Sequence, residues 1–324
     1  MDIIYGLTVF LIASGCLYIA GEIIVGGLLR LSRYYQVTEF VVAFLVMAFA
    51  ATLPNLFVGV SSALQGIPEL SFGDIMGNNM VALTLAVALG IFFAPKRELP
   101  LENQAIQDTT FLTSLAAILP LILVSDGTIS RSDGLILVLF FVGYMYWLLS
   151  KQERFSKSYG EERGVVVTKD EAWRRTIQVL LGVVLLGLAA QGIVYGATLL
   201  ATGFGLPLLL VGILIIGFGG ALPEIYFTIL TARRGETGMI VGNLMGAVII
   251  PATLVLGIVA IIEPIHNDQL EFSFIGRTFL VVSALYFLLV SQTKQVISQR
   301  EGIVLLCLYL AFLAHLLGFI GFGN

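Results

Sequence analysis

Charged residues are scarce in this chain of 324 residues, of which Lys, Arg, Asp and Glu make up only 12%. Soluble domains carry about twice that fraction. Here 58% of the residues are hydrophobic and the mean hydropathy is +0.99. Apolar runs of about 20 residues, the length that crosses a bilayer as a helix, recur from end to end. The composition therefore excludes a soluble protein and indicates an all-α polytopic membrane protein.

Cysteine and histidine are scarce as well, with two of each in the chain. Cys16 and Cys307 both lie in apolar runs, where we interpret them as small buried hydrophobic residues. His266 and His315 are isolated, so no Cys/His cluster suggests a zinc, haem or iron–sulfur centre. No H-E-x-x-H motif, catalytic aspartate pair or Ser/His arrangement is found either. We expect no enzymatic activity, no resident cofactor and no nucleic-acid partner.

Polar breaks divide the apolar sequence into ten predicted transmembrane helices. They cover residues 3–29, 37–64, 72–94, 104–124, 134–150, 176–202, 206–232, 239–262, 272–292 and 302–322. The first run is too long for a cleavable signal peptide, and no basic segment precedes it. Residues 151–175 form the one long polar segment and are predicted to be a loop. It separates a first half, residues 1–150, from a second half, residues 176–324.

The basic residues predict the orientation of the chain in the membrane. If the helices alternate in direction, fifteen of the 17 Lys and Arg residues share a side with the 151–175 loop. Only Arg131 and Arg277 fall on the opposite side. Because cytoplasmic loops are enriched in Lys and Arg, we predict a cytoplasmic 151–175 loop and external N- and C-termini. We expect this orientation in a plasma (inner) membrane.

The two halves of the sequence are related by a shift of 169 residues. The shift places Leu53-Pro54 on Leu222-Pro223, Gly66 on Gly235, Met76-Gly77 on Met245-Gly246 and Pro95 on Pro264. Chance matching of apolar residues would not align prolines, glycines and loop positions together without a gap. Five helices per copy, an odd number, make the two copies insert in opposite directions. Such inverted repeats are typical of secondary transporters, whose binding site lies near the midplane between the repeats.

Glu224 is the residue of greatest functional interest, in the stretch G-F-G-G-A-L-P-E-I of residues 217–225. It precedes Arg233 by nine residues, which places it about 13 Å inside the membrane at 1.5 Å per residue. A charge at the centre of a membrane helix costs roughly 2.5–3.5 kcal/mol and needs a functional reason. Pro223 lacks an N–H and frees the carbonyl of Gly219, a potential cation ligand. Asn55, the counterpart of Glu224, lies at a similar depth.

The polar residues near this depth are candidate cation ligands because hard cations prefer several oxygen ligands. The candidate metal-binding residues are Glu224, Asn55, Thr52, Asn78, Asp74 and Asn243. Structural alternatives remain open for each class. Glu224 is alternatively a protonated carboxyl that hydrogen-bonds between helices, and Asn55 and Asn78 are alternatively interhelical contacts. Asp74 and Asn243 follow glycines near predicted helix starts, where Asp and Asn favour capping.

At this point the residues resemble a known family, the calcium/cation antiporter superfamily, whose repeats carry the patterns G-[TS]-S-x-P-E and G-N-x-x-G-S-N-x-x-[ND]. The second copy here reads G-G-A-L-P-E and then G-N-L-M-G-A-V. The first copy reads A-A-T-L-P-N and then G-D-I-M-G-N-N-M-V-A. The resemblance covers nearly the whole chain. It implies ten helices as two inverted five-helix repeats, an external N-terminus, and exchange of Ca²⁺ or another cation against Na⁺, K⁺ or H⁺.

The sequence departs from the family pattern at the positions of its ligands. The paired glutamates of the family map to Asn55 and Glu224. Its serines map to Thr52, Ala221, Asn78 and Ala247, and its final Asn/Asp maps to Ala82 and Pro251. One carboxylate in place of two favours a monovalent cation, a proton or weak divalent binding.

We therefore predict a secondary-active cation antiporter that works by alternating access and acts as a monomeric transport unit in the lipid bilayer. The resemblance implies that the first and sixth helices slide over the remaining core. Two alternatives stay open: a proton-coupled or sodium-independent transporter of another cation or solute, and a degenerate, non-transporting membrane scaffold. The losses at Ala221, Ala247 and Pro251 motivate the second alternative.

Overall fold

The computed structural model describes residues 2–34, 47–101, 104–150, 169–235, 237–266, 270–293 and 296–322, and these residues are almost entirely helical. The helices of the first half are α1 (Asp2–Tyr34), α2 (Met47–Leu64), α3 (Glu69–Met80), α4 (Val87–Phe93), α5 (Gln104–Leu123) and α6 (Arg131–Ser150). Those of the second half are α7 (Lys169–Phe204), α8 (Leu208–Val211), α9 (Phe218–Gly220), α10 (Leu222–Arg233), α11 (Thr237–Ile250), α12 (Leu256–Ile262), α13 (Leu270–Thr293) and α14 (Gln299–Phe322). The described residues also include four short strands: β1 (Glu98–Pro100), β2 (Thr128–Ile129), β3 (Ile265–His266) and β4 (Val296–Ser298).

The described helices form nine spans that are long and apolar enough to cross a membrane. A shorter apolar helix, Thr52–Leu64, occupies the described part of the predicted second span. The first residues of that predicted span, 37–46, lie outside the described residues. The prediction of an all-α polytopic membrane protein is confirmed.

Three of the described spans contain a π-helical turn, which the sequence does not predict. These turns are Val81–Ala86 between α3 and α4, Gly212–Gly217 between α8 and α9, and Pro251–Val255 between α11 and α12. The first and third coincide, within one residue, under the shift of 169. π-Helical turns are rare and are frequent at functional sites. The two repeats therefore share an irregular backbone at this position as well as the same order of helices.

The packing between helices repeats as well, with the roles of the two halves exchanged. A Cβ added at Gly59 would lie 2.9 Å from Cγ2 of Val259. A Cβ added at Gly90 would lie 3.0 Å from Cγ2 of Thr228. The shift maps Gly59 to Thr228 and Gly90 to Val259, so these are two copies of one contact between α2 and α12 and between α10 and α4. This reciprocity is what two inverted repeats around a common axis produce.

Two small antiparallel sheets join the halves at opposite ends of the helical bundle. Strand β1 pairs with β4, with Leu99 opposite Ile297, and β2 pairs with β3, with Ile129 opposite Ile265. All four of these side chains are fully buried. Each sheet therefore closes one end of the core with residues from both halves.

The helices α1 and α7 extend beyond the predicted spans. α7 begins at Lys169, so the predicted loop is wrong for residues 169–175, while 151–168 lie outside the described residues. The carboxylate of Glu171 accepts a hydrogen bond from Arg30 on α1 at 2.6 Å and lies 3.8 Å from Arg175. These polar contacts prolong the two packed helices past the apolar stretch that the prediction relied on.

Helix α3 lies at the centre of the molecule. Every residue from Leu70 to Met80 is buried, although a peripheral membrane helix would expose one face to lipid. The polar residues Asp74, Asn78 and Asn79 are therefore held inside protein, with 2%, 2% and 1% of their surface exposed. A buried polar set of this kind inside a membrane protein marks a candidate functional site.

Candidate cation site

The centre of the site is the crossing of α3 with the interrupted seventh span, α8 to α10. A Cβ added at Gly217 would lie 2.6 Å from the carbonyl oxygen of Asp74, and one at Gly212 would lie 2.5 Å from that of Leu70. Gly73 and Gly77 press against the same span from the other side. Because no side chain fits between the two backbones, the helices cross in close contact. This crossing places Asp74 beside the part of the seventh span that is interrupted at Ala221.

The regular α-helix of the seventh span is interrupted at Ala221, two residues before Pro223-Glu224. Helix α9 ends at Gly220 and α10 begins at Leu222, with Pro223 in its first turn. Ala221 keeps right-handed helical angles, φ −81° and ψ −7°, and backbone hydrogen bonds still join it to Gly217 and Ile225. Glu224 lies in the first turn of α10, just after this irregular residue.

Glu224 has an acceptor atom without a partner. Its side-chain oxygen Oε2 is shielded from solvent and accepts no hydrogen bond in the described part of the chain. Nor is any described lysine or arginine paired with the carboxyl group. A buried acceptor without a partner costs about 1–3 kcal/mol, and more when it is charged. A cation or a proton would satisfy this atom.

Asp74 lies in the interior of α3 and does not cap it. The residue that precedes the first turn of α3 is Pro68, and Asp74 follows it by six positions. The capping interpretation of Asp74 is therefore wrong, because the polar Glu69 and Ser71 hid the true start of the helix. Its Oδ1 atom lies 3.9 Å from the position of a Cβ on Gly220. Glu224 follows Gly220 by four residues, one helical turn, so the two carboxyl groups lie beside the same stretch of the seventh span.

Asn78 follows Asp74 by one helical turn and links the two repeats. Its Nδ2 atom donates a 3.1 Å hydrogen bond to the carbonyl oxygen of Ala247 on α11. Ala247 lacks its usual helical donor because the residue four positions later is Pro251, which has no N–H. The amide nitrogen of Asn78 is therefore used for structure, and its oxygen remains an acceptor on the α3 face that carries Asp74.

Thr52 and Asn55, the candidates from the first repeat, lie on α2. Thr52 is 7% exposed and Asn55 is half-buried. Pro54 lies inside α2 without ending it, whereas its counterpart Pro223 follows a break. The ring of Pro54 packs toward α1, 3.8 Å from the position of a Cβ on Gly21. The two halves of the predicted site therefore differ in backbone as well as in charge.

Asn243 lies on α11, which begins at Thr237, and its side chain is exposed. It does not cap α11 either, since it is well inside the helix. Its counterpart Asp74 is buried at the crossing with the seventh span. Asp74 and Asn78 thus lie one helical turn apart on the buried α3, while Asn243 has a different environment from its repeat partner.

The sequence reading missed the glycines that make the crossing possible. Gly73 and Gly77 form a G-x-x-x-G pattern, which lets two membrane helices approach closely. The pattern is visible in the sequence itself. Among the residues that the structure describes, no three His, Cys, Asp or Glu side chains gather where they could hold a metal ion.

Comparisons with known proteins agree with this architecture. Residues 5–150 and 175–318 match the family described as sodium/calcium exchanger protein. CaxA of Alkalimonas amylolytica, which carries the name of an antiporter, is 24% identical over 317 residues that cover 94% of this chain and 97% of CaxA.

Two solved structures have the same fold. The sodium-calcium exchanger NCX_Mj, soaked with Na⁺ and Sr²⁺, superposes with a TM-score of 0.63 at 22% identity, over 96% of this chain and 98% of that one. The H⁺/Ca²⁺ exchanger CAX superposes with a TM-score of 0.76 at 19% identity, over 95% of this chain and 82% of that one. At these identities the likeness establishes the fold of two inverted five-helix repeats.

Proposed function

Because this chain belongs to the sodium/calcium exchanger protein family, a family of membrane transporters and not of enzymes, we propose that it exchanges cations through a site centred on Glu224. The observation that carries the proposal is the shielded Oε2 atom of Glu224, which has no partner among the described residues. It lies in the first turn of α10, just after the interruption at Ala221, and interrupted membrane helices typically bind ions.

Neutral oxygens would complete the coordination of the ion. Asn78 offers its side-chain oxygen, because its nitrogen is bonded to Ala247. Thr52 and Asn55 on α2 would supply oxygens from the first repeat. The Gly219 carbonyl, expected to be freed by Pro223, is not available, because a backbone N–H at the end of α9 donates to it. A Ca²⁺ ion takes six to eight oxygen ligands, so water would fill the remaining positions. Asn243 would contribute only after a rearrangement that buries it.

The transport cycle would use α1 and α7 as one moving unit. These repeat-related helices pack closely through small residues: a Cβ added at Gly192 would lie 2.9 Å from that of Ala13, and one at Gly196 would lie 2.9 Å from the backbone nitrogen of Phe10. Arg30 and Glu171 bind the same pair together at one end. Such a pair can shift over the core as a rigid body and expose the site to each side in turn, which is alternating access.

The orientation proposed from the basic residues fits their positions at the two ends of the bundle. Arg131 and Arg277 donate to the carbonyls of Ile262 and Val124, near the sheet of β2 and β3. Arg233 lies at the opposite end, with its guanidinium 4.8 Å from the ring centroid of Phe93. We place the former end and both termini outside a plasma (inner) membrane, the 151–175 loop in the cytoplasm, and the transport activity in the single chain.

A proton-coupled exchanger on the same fold is the second candidate. The positions where the family has serines hold Ala221 and Ala247, and Pro251 replaces a further polar residue. These losses remove hydroxyl and amide oxygens that could hold Na⁺, whereas a proton needs only a carboxylate. The two candidates differ in the ion that drives transport and share the site.

The test is cation flux into proteoliposomes that contain the purified chain. Ca²⁺ uptake is measured with an outward Na⁺ gradient and, separately, with a pH gradient, and the effective gradient identifies the driving ion. Glu224→Gln should reduce uptake to the level of empty liposomes. Glu263→Gln, at the end of α12 and away from the site, serves as the matched control. If Glu224→Gln transports like the parent chain, the site assignment is wrong.

A further inference from the structure

We propose that Asp74 is a second cation-binding carboxylate and that, with Glu224, it makes this site one for a divalent cation. The proposal rests on the transport function proposed above and goes further, because it replaces the one-carboxylate site expected from the sequence. The acid that the family pattern places on α2 is Asn55 here. A carboxylate has been relocated to the neighbouring helix α3.

The position of Asp74 carries the first part of the argument. It is 2% exposed, in the interior of a helix whose residues from Leu70 to Met80 are all buried. Its backbone touches Gly217 and its Oδ1 atom approaches Gly220, so the side chain lies against the end of α9, one residue before the break. Glu224 lies just beyond that break, in the first turn of α10. The crossing of the two helices therefore aims both carboxyl groups at one region.

Charge balance carries the second part. Glu224 follows Gly220 by one helical turn, so both carboxyl groups lie beside the same stretch of the seventh span. No described lysine or arginine is paired with either carboxyl group. The Oε2 atom of Glu224 is buried and has no hydrogen-bond partner within the described ranges. When both groups are ionised, a divalent cation between them neutralises both charges at once. The donor set is carboxylate and amide oxygen, the kind that Ca²⁺ and similar hard ions prefer.

The environment of Asn243 shows that the second half of this chain does not repeat the buried carboxylate of Asp74. The repeat relates Asn243 to Asp74, yet Asn243 is uncharged and exposed on α11. Each repeat thus gives one carboxylate, but from non-equivalent helices: α3 in the first and α10 in the second. The alternative for Asp74 is a permanently protonated carboxyl that only joins helices.

The experiment measures ion-induced thermal stabilisation of the purified full chain in detergent, with Ca²⁺, Mn²⁺ and Na⁺ titrated separately. Asp74→Asn should weaken the apparent affinity for the divalent ions by about tenfold or more, because ligand charge sets divalent affinity. Its effect on Na⁺ should be smaller. Asp108→Asn, a half-buried aspartate on α5, is the matched control and should bind like the parent. In Asp74→Asn/Asn55→Asp the carboxylate returns to α2, and part of the divalent affinity should return with it.

The outcomes separate this proposal from the one on which it rests. If Asp74→Asn responds to divalent ions like the parent while Glu224→Gln does not respond, Asp74 only joins helices and the inference is wrong. If the parent chain responds to no ion, the proposed transport site fails and Asp74 fails with it. A crystal structure of the parent chain with Ca²⁺ needs no variant: oxygens of both carboxylates should lie about 2.3–2.6 Å from the ion. An ion that touches Glu224 alone would overturn the inference even if Asp74→Asn does not fold.

Discussion

Asn78 donates a hydrogen bond to the carbonyl oxygen of Ala247, the residue that lies 169 positions later and is its own counterpart in the second repeat. Two equivalent positions can touch only near the axis that relates the repeats. This bond therefore marks the axis, at the place where α3 and α11 meet. It also repairs a defect, because Pro251 leaves the Ala247 carbonyl without a helical donor.

The Asn78 bond should contribute measurably to stability. Asn78→Ala removes the donor and leaves the Ala247 carbonyl without its side-chain partner, which should cost about 1–3 kcal/mol. Thermal unfolding of the detergent-solubilised chain measures the loss. Pro251→Ala supplies a backbone N–H four residues after Ala247, so the same Asn78→Ala change should cost less in that background. An equal cost in both backgrounds would mean that the bond does not compensate for the proline.

The helical spans and the repeat could be predicted from the sequence because both are one-dimensional patterns. Apolar length predicts a span, and the 169-residue shift aligns Pro54 with Pro223 and Gly66 with Gly235. The mid-depth position of Glu224 followed from its distance to Arg233. None of these inferences requires information on which helices contact one another.

The partners across the axis could not be predicted in the same way. A shift relates equivalent positions, but contact depends on the crossing of helices, and Asp74 meets the seventh span through glycines that carry no chemical signal of their own. The polar residues before Phe72 also moved the predicted start of the third span to 72, although α3 begins at Glu69. From the sequence Asp74 is therefore a candidate ligand with capping as its alternative, and only the true start of α3 removes that alternative.

The close crossing should tolerate no side chain at Gly217. A Cβ there would lie 2.6 Å from the Asp74 carbonyl oxygen and 2.9 Å from the Asn78 nitrogen, both backbone atoms that cannot move aside cheaply. Gly217→Ala should therefore destabilise the chain by about 1–3 kcal/mol and weaken ion-induced stabilisation, since it separates Asp74 from Glu224. Gly143→Ala on α6 is the control: its Cβ would meet nothing within 4 Å, and no loss is expected. Equal melting temperatures for the two variants would contradict the crossing.

The helices α6 and α14 should depend equally on matching capping boxes. The backbone N–H of Ser130 donates to the Asp133 carboxylate at 2.8 Å, and that of Ser298 donates to Glu301 at 2.8 Å. Each serine hydroxyl also bonds to the same carboxylate. Ser130→Ala and Ser298→Ala should each cost about 0.5–2 kcal/mol. Denaturation midpoints provide the measurement, with Ser150→Ala, whose hydroxyl bonds only to the exposed last turn of α6, as a control. A clear loss in one variant and none in the other would argue that the two helix starts are not equivalent.

Two glycines with left-handed backbone angles should respond alike to substitution, because they occupy equivalent positions in the two repeats. Gly66 follows α2 with φ +72° and Gly235 follows α10 with φ +76°, and the shift relates them. Both end a helix, with N–H bonds back to Ala63 and Ala232. An L side chain in this conformation costs roughly 1–2 kcal/mol, and neither site offers a contact within 4 Å that could offset it. Gly66→Ala and Gly235→Ala should therefore lower the melting temperature by similar amounts.

Arg97 tests the steric cost of a positive φ in the opposite direction. Among the described residues it is the non-glycine residue with a positive φ, +53°. Arg97→Gly should raise stability or leave it unchanged, because glycine adopts this conformation without a steric penalty. The melting temperature of the detergent-solubilised variant measures the effect. If Arg97→Gly destabilises the chain while Gly66→Ala does not, a positive φ is not what determines the stability of these turns.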